Sequence, residues 1–254
     1  MMTLSIAWIV PALTLVAQQP IASPPVAEQA AIAGGQNILE EIACAPTSVD
    51  APAVAPLHVS GGYVHGRLMF GPGEPLIVHG GSKQGVQTGQ VYYVRRYVHD
   101  WFGAVSPDAE PVGVHTAGWV TIVDVKDDMA VAQVTHACDG VIDGDFLEPY
   151  ADPVVPTAVP GVAPDYTNPA RIFMGDDKLQ TGAAGTLMLI NRGTDQGVRA
   201  GQSLTIFRET LEGTGPVFDV GRGTVLLVRP KTSLIRVDAS RDAVYLGDMA
   251  ALHR

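Results

Sequence analysis

The 254-residue chain has few basic residues, only two cysteines and no long uninterrupted apolar run. Its 16 Lys and Arg are outnumbered by 26 Asp and Glu, so no basic patch is available to neutralise nucleic-acid phosphates. The cysteines do not form a CxxC motif, which excludes a structural zinc site of the usual kind. We therefore expect no nucleic-acid partner, no bound metal and no cofactor.

Glycine and proline are abundant instead, with 28 and 19 residues respectively. Such frequent Gly and Pro divide a chain into short strands and turns and disfavour long helices. The composition therefore favours an all-β protein.

The N-terminal region 1–22 contains an apolar run at residues 4–17, which is short for a membrane span and typical of the apolar part of a secretion signal. No Lys or Arg precedes Arg67, so the basic start of most signals is missing. We interpret 1–22 as a signal peptide, with an uncleaved N-terminal anchor or a buried strand as the alternatives. A signal peptide predicts an exported protein, periplasmic or secreted, and an uncleaved segment would contact the membrane.

The cysteines Cys44 and Cys138 are candidates for a disulfide, since two thiols can pair in an oxidising compartment. The bond would close a loop of more than 90 residues and would contribute about 4–5 kcal/mol in the chain-entropy treatment before strain is subtracted. Two unrelated buried thiols are the alternative.

An internal repeat organises the rest of the chain. The segment 76–96, LIVHGGSKQGVQTGQVYYVRR, aligns with 188–208, MLINRGTDQGVRAGQSLTIFR, at an offset of 112 positions. A later segment, 118–147, aligns with 221–250 at an offset of 103, so the first copy carries nine extra residues. Those residues belong to a loop that contains Trp101 and Phe102, two aromatics that either anchor a contact with a partner or fold back onto the first copy.

Each copy contains five or six short strands, which can avoid exposed edges by curling into a small barrel. We predict two tandem β-barrel-like units at 57–150 and 181–254, joined by a Pro-rich linker at 151–180. The Pro/Ala-rich segment 23–56 precedes the first unit and includes one short helix, GQNILEEIA.

The repeated glycine turn lacks the Gly-Lys-[Ser/Thr] ending of a phosphate loop and is followed by a strand, so it does not predict nucleotide binding. Its glycines are explained by positive φ or by close backbone approach, and its valines by insertion into the end of each barrel. The structural turn residues are Gly81, Gly85, Val86, Gly89, Gly193, Gly197, Val198 and Gly201.

The histidines and acidic residues do not predict a catalytic or metal site. Six of the seven histidines precede residue 137, but they show neither HxH nor HxxxH spacing and are best explained as scattered turn or surface residues. Asp139, Asp145, Asp242 and Asp248 recur in both copies, which favours capping of turns over catalysis. No Gly-x-Ser-x-Gly motif is present.

The two segments VHGGSKQGVQTGQVYYVRR and INRGTDQGVRAGQSLTIFR, and the later DGDFLEPY and LGDMAALHR, resemble a β-module of envelope proteins. The module is similar to the C-terminal domain of flagellar assembly protein T and to modules of LysM-type envelope proteins. The resemblance implies a periplasmic or cell-surface assembly module without catalytic residues.

We therefore expect a non-enzymatic scaffold or adaptor that presents loops to other envelope proteins. A module that binds cell-wall glycan, with Trp101, Phe102, Trp119 and tyrosines as the stacking surface, is the alternative. A metal-dependent hydrolase that uses the histidines of the first unit is the third hypothesis.

Overall fold

The structure is a computed structural model that describes residues 38–49, 57–64, 66–99, 111–159, 161–175, 179–209 and 216–254. A short α-helix at 38–44 lies within the predicted lead-in, and none of the helices in the described ranges is long and apolar enough to cross a membrane. The strands of the first unit are β1 (His58–Gly62), β2 (Met69–Phe70), β3 (Pro75–His79), β4 (Val91–Val98), β5 (Gly113–Val125), β6 (Met129–Ala137), β7 (Val141–Ile142) and β8 (Phe146–Pro149). Those of the second are β9 (Ala170–Gly175), β10 (Thr181–Gly182), β11 (Leu187–Ile190), β12 (Ser203–Glu209), β13 (Val217–Val228), β14 (Ser233–Ser240), β15 (Val244–Tyr245) and β16 (Met249–Leu252).

The predicted fold class is confirmed: the strands form two closed antiparallel barrels of six strands each. The first barrel has the order β1-β3-β6-β5-β4-β8, and the second has the equivalent order β9-β11-β14-β13-β12-β16. A two-stranded ribbon accompanies each barrel, β2 with β7 and β10 with β15. The repeat extends to irregularities, because the bulge after Val94 recurs after Ile206, 112 positions later.

Each barrel has its own apolar core, formed by the inward-pointing side chains of its strands. Val86 and Val198, from the glycine turns, are each only 2% exposed and belong to these two cores. The turn therefore supplies a core side chain as well as a change of direction.

The glycine turn is a single 3₁₀ turn, at Ser82–Gln84 and Thr194–Gln196, that ends on a left-handed glycine. Gly85 and Gly197 have φ values of 83° and 79°, a region that side chains with a Cβ rarely adopt. A Cβ on Gly81 would overlap the carbonyl oxygen of Lys126 in the β5–β6 turn. The glycines thus allow the turn to dock against the neighbouring hairpin.

A second repeated turn, Gly144–Asp145 in the first barrel, connects β7 to β8 and contacts β1 and β4. Its backbone exchanges hydrogen bonds with Val59 of β1, and the side chain of Asp145 accepts two hydrogen bonds from Arg96 of β4, at 2.7 and 2.9 Å. Asp145 is 1% exposed, and its Oδ2 also accepts from the Ile142 amide.

The second barrel repeats this arrangement with Asp248, Arg208 and Ile172. In both barrels the hydrogen bonds to the carboxylate raise the pKa of the arginine above its ordinary value. Charge-assisted bidentate pairs of this kind are among the stronger polar contacts in proteins. We call each of them the Arg–Asp clamp.

The segment between the barrels differs from the predicted linker. The first strand of the second barrel, β9, begins at Ala170, inside the segment 151–180 predicted as linker. The proline-rich part also contacts the second barrel: Val159 forms a parallel bridge with Gln202, and Pro164 an antiparallel bridge with His253. The prolines that precede this strand hid it, although β9 itself contains none.

Replacement of Gly85 by Val is expected to lower the free energy of unfolding by about 2–3 kcal/mol, because a β-branched residue is strained at positive φ. The control is Gly71→Val, at a glycine whose φ is not positive and whose Cβ would meet no atom within 4 Å. Chemical denaturation of both variants measures the difference. Equal losses in the two variants would contradict the assigned role of Gly85.

Replacement of Arg96 by Met is expected to lower the free energy of unfolding by about 3–5 kcal/mol, since it leaves the buried Asp145 carboxylate without its charge partner. Lys83→Met is the matched control, because Lys83 pairs with Asp128 at 2.7 Å on the surface and such pairs contribute less than about 1 kcal/mol. Urea denaturation compares the two, and a loss for Arg96→Met as small as that for Lys83→Met would refute the clamp.

Candidate functional site

The second barrel serves as an internal reference for the first, because side chains that both contain belong to the common scaffold. Among the described residues, two regions of the first barrel carry side chains that the second barrel lacks. One is the junction with the second barrel, and the other is the loop between β1 and β2.

Residues 38–49, which we call the strap, are held against the first barrel. The amide and carbonyl of Thr47 exchange hydrogen bonds with those of Val114 at 2.9 and 2.8 Å, and the hydroxyl of Thr116 donates to the Ala45 carbonyl. The strap therefore extends the sheet of the first barrel beside the start of β5.

The opposite side of the strap faces the second barrel. Ile42 and Ala45 are each under 5% exposed and share an apolar cluster with outward-facing residues of the second barrel. This cluster contains Met174, Leu187, Leu189, Leu226 and Leu234. The strap therefore fills an apolar interface between the two barrels.

The predicted disulfide is confirmed, as Cys44 at the end of the helix is bonded to Cys138 directly after β6. It joins the strap to the first barrel covalently. Ile42 packs against the second barrel, and Cys44, two residues later, is bonded to the first.

His136 lies beside the disulfide. Its Nε2 is 3.1 Å from a carboxylate oxygen of Glu40 in the strap, and its ring stacks on Trp119 with centroids 4.2 Å apart and planes 12° from parallel. One ligand atom from each of Cys44, His136 and Cys138 lies within 4.8 Å of the others. The second barrel has Arg222, Ala239 and Arg241 where the first has Trp119, His136 and Cys138.

The aromatic row continues from Trp119 towards the second barrel. Trp119 is 5.7 Å from the ring of Tyr150, which is 4.6 Å from the ring of Tyr93, and the Arg95 guanidinium lies 4.4 Å from the Tyr93 centroid. One face of Trp119 is covered by His136. These rings pack against one another and do not form a row of open faces.

A cleft of about 230 Å³ opens where the row meets the second barrel. Within it, Glu148 lies between two arginines, 3.0 Å from Nε of Arg95 and 3.7 Å from Arg229 of the second barrel. The Arg95 Nε contact is an ion pair without hydrogen-bond alignment. Burial lowers the pKa of Arg95 and raises that of Tyr93 to about 12. Because Glu148 pairs with one arginine of each barrel, it forms an ionic link across the junction.

The loop between β1 and β2 is the second feature found only in the first barrel. The loop and the start of β2 expose four large apolar side chains within residues 63–69, and Leu68 is 77% accessible. The other three are Tyr63, Val64 and Met69, each between 58% and 66% accessible. The corresponding positions of the second barrel that the structure describes are Gly175, Gln180 and Thr181, with Leu179 as one exposed apolar neighbour.

The other predicted residues are distributed as follows. Trp101 and Phe102 lie outside the described residues. Asp139 and Asp242 each accept a hydrogen bond from the next backbone amide, as turn-capping residues do. His58 and His79 lie opposite each other on β1 and β3, with ring centroids 4.8 Å apart and planes tilted by 31°, away from the junction.

Three features escaped the sequence analysis: the pairing of His136 with the disulfide, the ionic link through Glu148, and the Arg–Asp clamp. Only the clamp had a readable signal, because Arg96 and Arg208 recur at the offset of 112 while Asp145 and Asp248 recur at 103. The other two depend on contacts between the strap, the first barrel and the second barrel. An internal sequence repeat does not reveal such contacts.

No family model matches the chain, and no curated protein matches it.

Replacement of both cysteines by Ser is expected to lower the free energy of unfolding by about 3–4 kcal/mol, because the bond closes a loop between residues 94 positions apart. Denaturation without reductant measures the effect. Added dithiol should destabilise the wild type to a similar extent and leave the double variant unchanged. An unaltered midpoint in the double variant would show that the bond contributes nothing.

Proposed function

We propose that the protein is an exported, non-enzymatic adaptor of the cell envelope that binds another protein through its first barrel. The single observation that carries the proposal is the exposure of four large apolar side chains within residues 63–69, of which Leu68 is the most accessible. Contiguous exposed apolar side chains on a folded domain mark interaction surfaces. The second barrel shares the scaffold but has mainly small or polar residues at these positions.

The junction supports this role because it combines the barrels into one unit. A strap buried between the barrels, the disulfide and the ionic link through Glu148 hold the contact loop at a fixed position relative to the second barrel. A preformed surface binds with less loss of conformational entropy than a mobile one.

Export is supported by the disulfide together with the apolar N-terminal segment. Disulfides persist in oxidising compartments and are rare in the reducing cytosol. Fractionation of tagged protein tests this part: we expect the protein outside the cytoplasm with Cys44 and Cys138 protected from alkylation until a reductant is added. A cytoplasmic protein with free thiols would contradict export.

Photo-crosslinking tests the contact loop. We expect a photoreactive residue at position 68 to give one discrete crosslinked species in cells, while the same residue at Gln180, its exposed equivalent in the second barrel, gives none. Leu68→Asp should abolish partner binding yet change stability by less than about 0.5 kcal/mol, because the side chain is exposed.

Equal crosslinking from positions 68 and 180 would contradict the adaptor role. Retention of the purified protein on cell-wall sacculi, unaffected by Leu68→Asp, would favour the glycan-binding alternative. The stacked Trp119 ring, with one face covered by His136, argues against that alternative at the described part of the surface.

A further inference from the structure

The disulfide and the imidazole beside it form a cluster that partner binding through the β1–β2 loop does not use. His136 and Cys138 are two residues apart and project from the same side of the chain, as alternate residues of an extended segment do. Cys44 meets them from the strap, and one ligand atom from each of the three lies within 4.8 Å of the others. All three residues are half-buried, so small solutes can reach them.

We propose that reduction of the disulfide converts this cluster into a zinc site, with Cys44, Cys138 and His136 as protein ligands. The site is closed in the oxidised protein, because bonded sulfurs lack the thiolate that binds the metal. The proposal concerns a different part of the first barrel from the contact loop, and it does not depend on the adaptor role.

The ligand set suits Zn²⁺, which is bound by Cys sulfur and His nitrogen in tetrahedral sites. At a Zn–S distance of about 2.3 Å, two thiolates on one tetrahedral ion lie about 3.8 Å apart. The Cα atoms of Cys44 and Cys138 are 5.6 Å apart. Rotation about the Cα–Cβ bonds separates the sulfurs by this amount without displacing the backbone.

The surroundings of His136 prepare it to bind a metal. The Glu40 carboxylate lies 3.1 Å from Nε2, which favours a proton on that nitrogen and leaves the lone pair on Nδ1. Metal-binding histidines are usually oriented by such a carboxylate. Stacking on Trp119 fixes the plane of the ring.

The reaction that opens the site is a thiol–disulfide exchange with a dithiol reductant. The disulfide takes up two electrons and two protons and becomes two thiols, while the reductant is oxidised to its own disulfide. Binding of Zn²⁺ then displaces the two thiol protons, so the metal and the oxidised state compete for the same sulfurs.

The test uses the full chain after reduction by a dithiol and anaerobic removal of the reductant, with Zn²⁺ alone as the probe. We expect one Zn²⁺ per chain for the reduced protein and none at this position for the oxidised protein or for the double Cys→Ser variant. Co²⁺ in place of Zn²⁺ should give a thiolate-to-cobalt charge-transfer band, which reports sulfur coordination directly.

Two histidine variants separate a built site from adventitious binding by thiols. His136→Ala should weaken Zn²⁺ binding by at least tenfold, whereas His79→Ala, at another first-barrel histidine away from the cluster, should leave it unchanged. Equal affinities for the wild type and His136→Ala, or less than one Zn²⁺ per reduced chain, overturn the proposal.

A thermal measurement covers the case in which the reduced protein is partly unfolded. Zn²⁺ that binds only the assembled site raises the melting temperature of the reduced wild type. It leaves the melting temperature of the double Cys→Ser variant unchanged. Absence of this rise overturns the proposal, even if thiols in the unfolded chain bind the metal.

Discussion

Closure of each barrel depends on the buried carboxylate of its last turn. The first and last strands of the first barrel, β1 and β8, share a single residue pair, His58 with Phe146, so the sheet has the fewest paired residues where it closes. At that place the Gly144–Asp145 turn bonds to β1 through its backbone and to Arg96 of β4 through its side chain. This turn thus joins β1, β4 and β8, and the second barrel has the same arrangement. A buried, fully paired charge is costly to disrupt, which explains why both copies retain it.

The strap gives the two barrels a common interface that neither would have alone. Outward-facing leucines of the second barrel would be exposed without Ile42 and Ala45, and the strap is fixed to the first barrel by hydrogen bonds and by the disulfide. The hydrophobic effect therefore holds the strap to one barrel, and a covalent bond holds it to the other. The proposed zinc site uses the same sulfurs, so its chemistry and this coupling are linked.

The comparison of the two barrels separates scaffold from function. The glycine turn, the clamp and the bulges occur in both, and they account for the fold. The exposed apolar side chains of residues 63–69, His136, Trp119 and Glu148 have no equivalents in the part of the second barrel that the structure describes. A barrel can close without these side chains, as the second barrel does. Their presence in one copy alone is what makes them candidates for function, and for Leu68 it supplies a matched control position, Gln180, in the second barrel.

The sequence by itself determined the two barrels, because the repeat, the strand periodicity and the glycine turns are local patterns that strands and turns express directly. It left the pairing of Cys44 with Cys138 open and gave no sign of the strap between the barrels. The start of the second barrel at Ala170 was also hidden, among prolines. Only the tertiary structure placed His136 beside the disulfide and Glu148 between two arginines. These contacts join residues far apart in the chain, and their energy comes from burial and charge in the folded state, which a local pattern does not encode.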